Sequence, residues 1–458
     1  MSGTIGINGK GQRMLAACIA AICAGSASAM PATLHAPEAA VAGAPRAPAN
    51  VVVTNCNDSG PGSLRDAISN AATGDTIDLT QLGCSTITLT TGTIVIAQSN
   101  LSLLGPGRFG LTIDGSGYHG ESVFYDVGDE ALTISDLTVT GGSKYEFGED
   151  ARGGCIYGAG NVIVEYSAIS GCGVEANGAG AFGGGVFARG RVYLLNSTVA
   201  LDHARSPGYT DGGGVYAQGG LVAKYSTIAE NYAYAEFATT SFGGGVFAHG
   251  TVLIEECTIS YNSAGRMGGL ALADTTGQTA TISNSTISGN TAGEIGGLFV
   301  RPPLQIYNST VAFNSASYWT DGTHDFAAGL YLASSAVMDS TIVANNVNIN
   351  APYATADLTG AGGVIISGGH NDVMFCGVGC PPDTSNGDPG LHPLTDNGGP
   401  TRTLLPTPGS WEASGGSNVL NLAWDQRGIG FSRQPTGYFP DIGAVQVGSD
   451  IIFVNGFN

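Results

Sequence analysis

Four stretches of the chain set aromatic rings among carboxylates: SKYEFGEDAR from Ser143, HARSPGYTDG from His203, YAYAEFATTSF from Tyr232 and SASYWTDGTHDF from Ser315. The rings are Tyr145, Phe147, Tyr209, Tyr232, Tyr234, Phe237, Tyr318 and Trp319. A ring face packs against the C–H face of a sugar while carboxylates accept from its hydroxyls, so this combination suits saccharide binding. The plainer reading is a set of solvated loops, since scattered exposed aromatics are ordinary on any surface. For catalysis the places to look are His203 and Arg205 with Asp211, and His324 with Asp321 and Asp325, where a base stands near acids. Carboxylates on adjacent turns of chain could approach the ~5 Å of a retaining glycosidase, or ligate calcium. No other cofactor is expected, and no Cys/His spacing suggests zinc.

What must position these residues is a repeat. From Asn161 the sequence recurs with a period near 29, the spacing of Ser197 and Ser226. One small residue marks each unit: Ser167, Ser197, Ser226, Cys257, Ser285, Ser309 and Ser340. Two positions on stands Ile169, Val199, Ile228, Ile259, Ile287, Val311 or Ile342, always β-branched. Apolar residues three and five positions earlier, such as Val162 and Val164, alternate with polar ones, and alternation of period two means strand. Glycine pairs open the units at Gly153, Gly183, Gly212, Gly243, Gly268 and Gly296 and mark corners. Five positions beyond the small residue comes Asn231, Asn262, Asn290, Asn314 or Asn345, with Cys172 and Asp202 in the earliest units. Stacked Asn side chains at a turn are a structural device.

Three short strands per unit without helical periodicity predict an all-β fold, a right-handed parallel β-helix in which successive coils hydrogen-bond about 4.8 Å apart. Insertions at one phase of the repeat would then project from one edge, which makes the four aromatic stretches a shared surface. The exposed first coil needs a cover, and Ser63 to Ala71 reads as a short capping helix with Leu64, Ala67, Ile68 and Ala71 on one face.

The stretch NDSGPGSLRDAI from Asn57, followed by GDTIDL, resembles the CSLREA-type N-terminal block of secreted bacterial β-helix proteins. The Gly-Gly and Ile/Val-x-x-Asn repeats are similar to those of polymorphic outer-membrane proteins, with Val or Ile where these have Phe. DPGLHPLTDNGGPTRTLLPTPGS from Asp388, DQRG from Asp425 and DIGAVQ from Asp441 resemble the choice-of-anchor Q domain, although Trp411-Glu412-Ala413 replaces its Ala-Ile-Asp. These resemblances imply a cell-surface β-helix and specify no activity. The polygalacturonase residue set is not present as a group; His249-Gly250 and His119-Gly120 stand alone.

Lys10 and Arg13, an apolar run from Met14 and Ala27-Ser28-Ala29 predict a signal peptide over 1–29. An Ala/Pro-rich spacer over 30–50, the capped β-helix over 51–370, an anchoring-type region over 371–448 and a tail over 449–458 complete the expected organisation. Of nine cysteines, seven remain after cleavage, and proximity pairs Cys56 with Cys84, Cys155 with Cys172 and Cys376 with Cys380. A formal charge of −20 argues against nucleic acid and anionic lipid. No segment after the signal peptide approaches the ~20 apolar residues of a membrane-spanning helix. The expected protein is secreted, extracellular or on an outer-membrane surface, and binds a glycan or a host or cell-surface molecule. A polysaccharide lyase or glycoside hydrolase is the alternative.

Overall fold

A computed structural model describes residues 47–447, apart from 237–239, 274–276, 318–326, 351–355, 411, 436 and 438. Expectations for the signal peptide, most of the spacer and the tail lie outside these residues. So do Phe237, Tyr318, Trp319, Asp321, His324 and Asp325.

The chain winds into an all-parallel β-solenoid. In one middle coil Ile156–Gly158, Asn161–Glu165 and Ala168–Ser170 form three walls, belonging to a 10-stranded sheet and to a first and a second 12-stranded sheet. Pairing is in register from coil to coil, as in Val162↔Val192↔Leu221↔Val252. Alternate residues face inwards, and stacked Val, Ile and Leu fill one continuous core. Coils before Asn161 lack the Gly-Gly signature yet join the same sheets, beginning with Asn50–Val52 on Thr76–Asp78. A helix, Leu64–Asn70, is capped by Ser63 Oγ accepting from the Asp66 N–H and buries Leu64, Ala67 and Ile68 against the first coils.

The bends between walls are single residues with positive φ: Tyr166, Asn196, Tyr225, Glu256, Asn284, Asn308 and Ser340 at one, and Leu201, Glu230, Tyr261, Phe313 and Asn345 at the next. Ser340 therefore belongs to the bend, and the last unit reads one residue differently from expectation. Ser309 stacks on Thr341, Val311 on Val343, and Asn346 rather than Asn345 continues the Asn column. The alternating pair Ala336 and Met338 fixes this register, because both must point inwards.

The Asn column is a buried hydrogen-bonded ladder. Asn262 Oδ1 accepts from both N–H and Nδ2 of Asn231, and the pattern repeats through Asn290, Asn314 and Asn346 to Asp357. Asp202 continues the ladder towards Cys172, accepting its N–H at 2.8 Å. Its other oxygen, Oδ2, is buried without a partner. That oxygen stands where each Asn places an amide, which donates to oxygens such as Val199 O. Only a protonated carboxyl can donate there, and burial holds Asp202 well above the carboxylate range. The native state thus keeps a proton that the unfolded chain releases above about pH 4. Its stabilising contribution is full below that pH and falls by about 1.4 kcal/mol for each pH unit until the native carboxyl ionises. Asp202→Asn is expected to unfold like the parent at pH 3 and at a higher denaturant midpoint at pH 8. Equal midpoints at pH 8 would refute the neutral acid.

Three disulfides, Cys56–Cys84, Cys155–Cys172 and Cys376–Cys380, pair as proximity suggests, and Cys257 is a buried thiol that burial pushes up to about 12.

Beyond Thr384–Ser385, the last strand, the chain turns back along the outside of the second 12-stranded sheet as a strap. Gln426 Nε2 donates to Cys257 O and accepts, through Oε1, from Thr286 Oγ1. Asn308 Nδ2 donates to Ser417 O, and Asn284 Nδ2 to Trp424 O. The two motifs of the strap close on each other. Asp425 pairs with Arg427 at 2.7 Å, both fully buried, and accepts from the Gln446 N–H. The buried Arg433 donates to Gly443 O, Ala444 O and Asn284 Oδ1.

Candidate functional site

The first three aromatic stretches are built on strands, with Tyr209 in the connection that follows one of them. Ser143–Phe147, Gly173–Asn177, His203–Ser206 and Tyr232–Ala235 are strands of an eight-stranded parallel sheet, an arm that extends each middle coil. The signal was present in SKYEF and YAYA, which alternate as a strand does. Inward residues of the arm are small: Val174, Ala176 and Ala204 pack against Ala151 and Ala181 of a four-stranded sheet behind. Two thin layers therefore stand off the solenoid, one face outward and the other turned towards the 10-stranded sheet.

On the outward face, parallel register makes rows. Tyr145, Glu175, Arg205 and Tyr234 form one, and Ser143, Gly173, His203 and Tyr232 the next. Tyr145 and Tyr234 are three strands apart, about 14 Å. Arg205 lies 3.6 Å from Glu175 and 5.7 Å from the Tyr234 ring centre. His203 stacks on Tyr232 with centres 5.1 Å apart and its ring over Gly173, where any Cβ would collide with it. Burial pulls His203 below its ordinary pKa, so it is neutral at pH 7. Tyr145, Phe147, Tyr209 and Tyr234 are exposed, and a groove of about 520 Å³ runs between Tyr145, Arg205 and Tyr234. Arg205, the cation of these two rows, is already paired with Glu175.

Asp211 does not join His203 and Arg205. It sits on Thr210–Asp211 of the four-stranded sheet, in the row Arg152, Phe182, Asp211, Phe242. Thr210 fills the interior of the arm, and Asp211, its neighbour along the strand, points the opposite way, towards the 10-stranded sheet. Burial pushes its carboxyl up to about 7, and Oδ1 has no partner.

Sequence reasoning missed what lies there. The outward position of the 10-stranded sheet carries Tyr125, Tyr157, Phe187, Tyr216 and Phe247 in one register column. Centres are 4.4 to 5.4 Å apart and planes within 13° of parallel. The signal was the residue after the inward Val or Ile of each Gly-Gly unit, GGCIYG, GGGVFA, GGGVYA and GGGVFA. A trough of about 340 Å³ runs between this column and the arm, with Arg152 on the arm side and Arg189 beyond the column. Burial lifts the Tyr157 phenol, against the pull of Arg189 and Arg152.

Among the described residues no three His, Cys, Asp or Glu side chains are grouped to hold a metal ion. No helix there is long and apolar enough to cross a membrane.

No family model matches the chain, and no curated protein matches it. A solved structure, that of pectate lyase Pel9A, is similar over 87% of this chain and 96% of its own, with a TM-score of 0.46 and 14% identity. At that distance the similarity concerns the winding of the backbone and transfers no activity.

Proposed function

We propose that this is an extracellular saccharide-binding protein that displays the outward face of its arm to a neutral, hydroxyl-rich glycan. The carrying observation is the row Tyr145, Glu175, Arg205, Tyr234: two exposed rings flank a carboxylate and a guanidinium that neutralise each other. Rings take the C–H faces of sugars, and the polar pair between them takes hydroxyls. The row and its groove run along the axis, a shape suited to holding an extended chain. Three disulfides fit an oxidising, extracytoplasmic setting.

Titration with xylan, glucomannan and chitin oligosaccharides tests the reading. Tyr145→Ala and Tyr234→Ala are each expected to weaken binding of the preferred oligosaccharide by about tenfold, the worth of one ring contact. Both rings are exposed, so thermal unfolding should be unchanged. Undiminished binding by the double variant would sink the proposal, and release of shorter products would support polysaccharide cleavage instead.

A further inference from the structure

We infer that the trough between the arm and the 10-stranded sheet is a second binding site, selective for an acidic, carboxylate-bearing saccharide chain lying along the solenoid axis. The argument starts from ring orientation. Tyr157, Phe187 and Tyr216 each have a parallel ring on both sides, at 4.4 to 5.4 Å. Their faces are consumed by one another, and only ring edges are left for the trough. An aromatic quadrupole is negative on its face and positive at its edge, so a column of edges repels cations and favours anions. The exposed rings of the arm, Tyr145 above all, differ: Tyr145 stacks on no other ring among the described residues.

Charge agrees with orientation. In a chain of formal charge −20, the trough collects two arginines, Arg152 and Arg189, against one carboxylate, Asp150. The Arg152 guanidinium lies 5.6 Å from the Phe187 ring centre and 5.8 Å from that of Phe182. Arg152 is paired with Asp150 at 2.6 Å, while the exposed Arg189 has no acidic partner among the described residues. Arg152 and Arg189 stand on adjacent coils, about 4.8 Å apart along the axis, a spacing that suits a polymer with one carboxylate per sugar. They do not match the charge of a duplex, one phosphate per ~1.7 Å, which the surrounding acidic surface would repel.

Calorimetric titration of the full mature chain uses alginate oligosaccharides as the probe, beside the same oligosaccharides after carboxyl reduction. Alginate should bind with an affinity that falls as salt rises, and the reduced sugars at least about tenfold more weakly, the worth of a charge-assisted hydrogen bond. Arg189→Gln should cost about fivefold, and Arg152→Gln with Arg189→Gln more than about twentyfold. Neither side chain is in the core, and an unchanged thermal midpoint certifies the fold. Tyr145→Ala with Tyr234→Ala should leave alginate binding intact, which separates this site from the outward face. Absence of alginate binding, equal affinity for the reduced sugars, or losses that follow Tyr145 and Tyr234 rather than the arginines would overturn the inference.

Discussion

Replacing Asn290 by alanine is expected to destabilise the protein by about 3–5 kcal/mol, among the largest effects of any single change. Asn290 Oδ1 accepts from both the N–H and the Nδ2 of Asn262, and its own Nδ2 donates to Ile259 O and Asn314 Oδ1. Truncation strands two buried donors on Asn262 and one carbonyl on Ile259. The Asn290 amide is closely packed: a Cβ on the neighbouring Gly269 would lie 3.0 Å from its Nδ2. Because coils touch only their neighbours, the damage should be local. Hydrogen exchange should accelerate around Asn262 and Asn314 and remain slow near Ile77. Asn290→Asp is the sharper variant. It keeps the shape and needs a proton to keep the bonds, so it should approach the parent at pH 3 and resemble alanine at pH 8. A denaturant midpoint indifferent to either change would show that the ladder holds nothing together.

Arg433→Met is expected to cost a further about 3–5 kcal/mol, expressed as release of the strap. The Arg433 side chain is wholly buried, and burial pushes its pKa down to about 10 against the attraction of Asp425 and Asp441. It ties Gly443 and Ala444 to Asn284 on a solenoid bend, a span of 149 residues in sequence to the asparagine. Removing the guanidinium leaves those oxygens without donors in a dry seam. Limited proteolysis should then cut residues 388–447 rapidly while the coils resist. Arg433→Lys keeps charge but loses the planar fork, and should fall between. Protection equal to the parent's would mean the strap is held elsewhere.

The parts of this architecture that repeat are legible in the sequence. Val162, Val164 and Ile169 announce their walls because burial on one side of a strand forces alternation, and the Asn column follows from stacking. Ser340 and Asn345 misled because STI and the double Asn permit two registers, and only Ala336 and Met338 break the tie. The arm was mistaken for loops because its interior is built of alanine, a residue that carries little hydrophobic signal. The stacked rings escaped notice for a different reason. Outward aromatics one residue from an inward Val or Ile look like part of the apolar run, and their orientation exists only once coils are placed on one another. Likewise DQRG and DIGAVQ are recognisable as motifs, yet nothing local to them says that Asp425 will close on Gln446 or that Arg433 will reach Asn284.

Everything proposed for the outward face depends on sugars meeting Tyr145, Glu175, Arg205 and Tyr234 as one row. Hydrogen–deuterium exchange with a saturating neutral oligosaccharide reads this directly. The expected footprint is slowed exchange confined to Ser143–Phe147, Gly173–Asn177, His203–Ser206 and Tyr232–Ala235, with the 10-stranded sheet unchanged. A footprint on Ile156–Gly158 and Val186–Ala188 instead, or none at saturation, would contradict it.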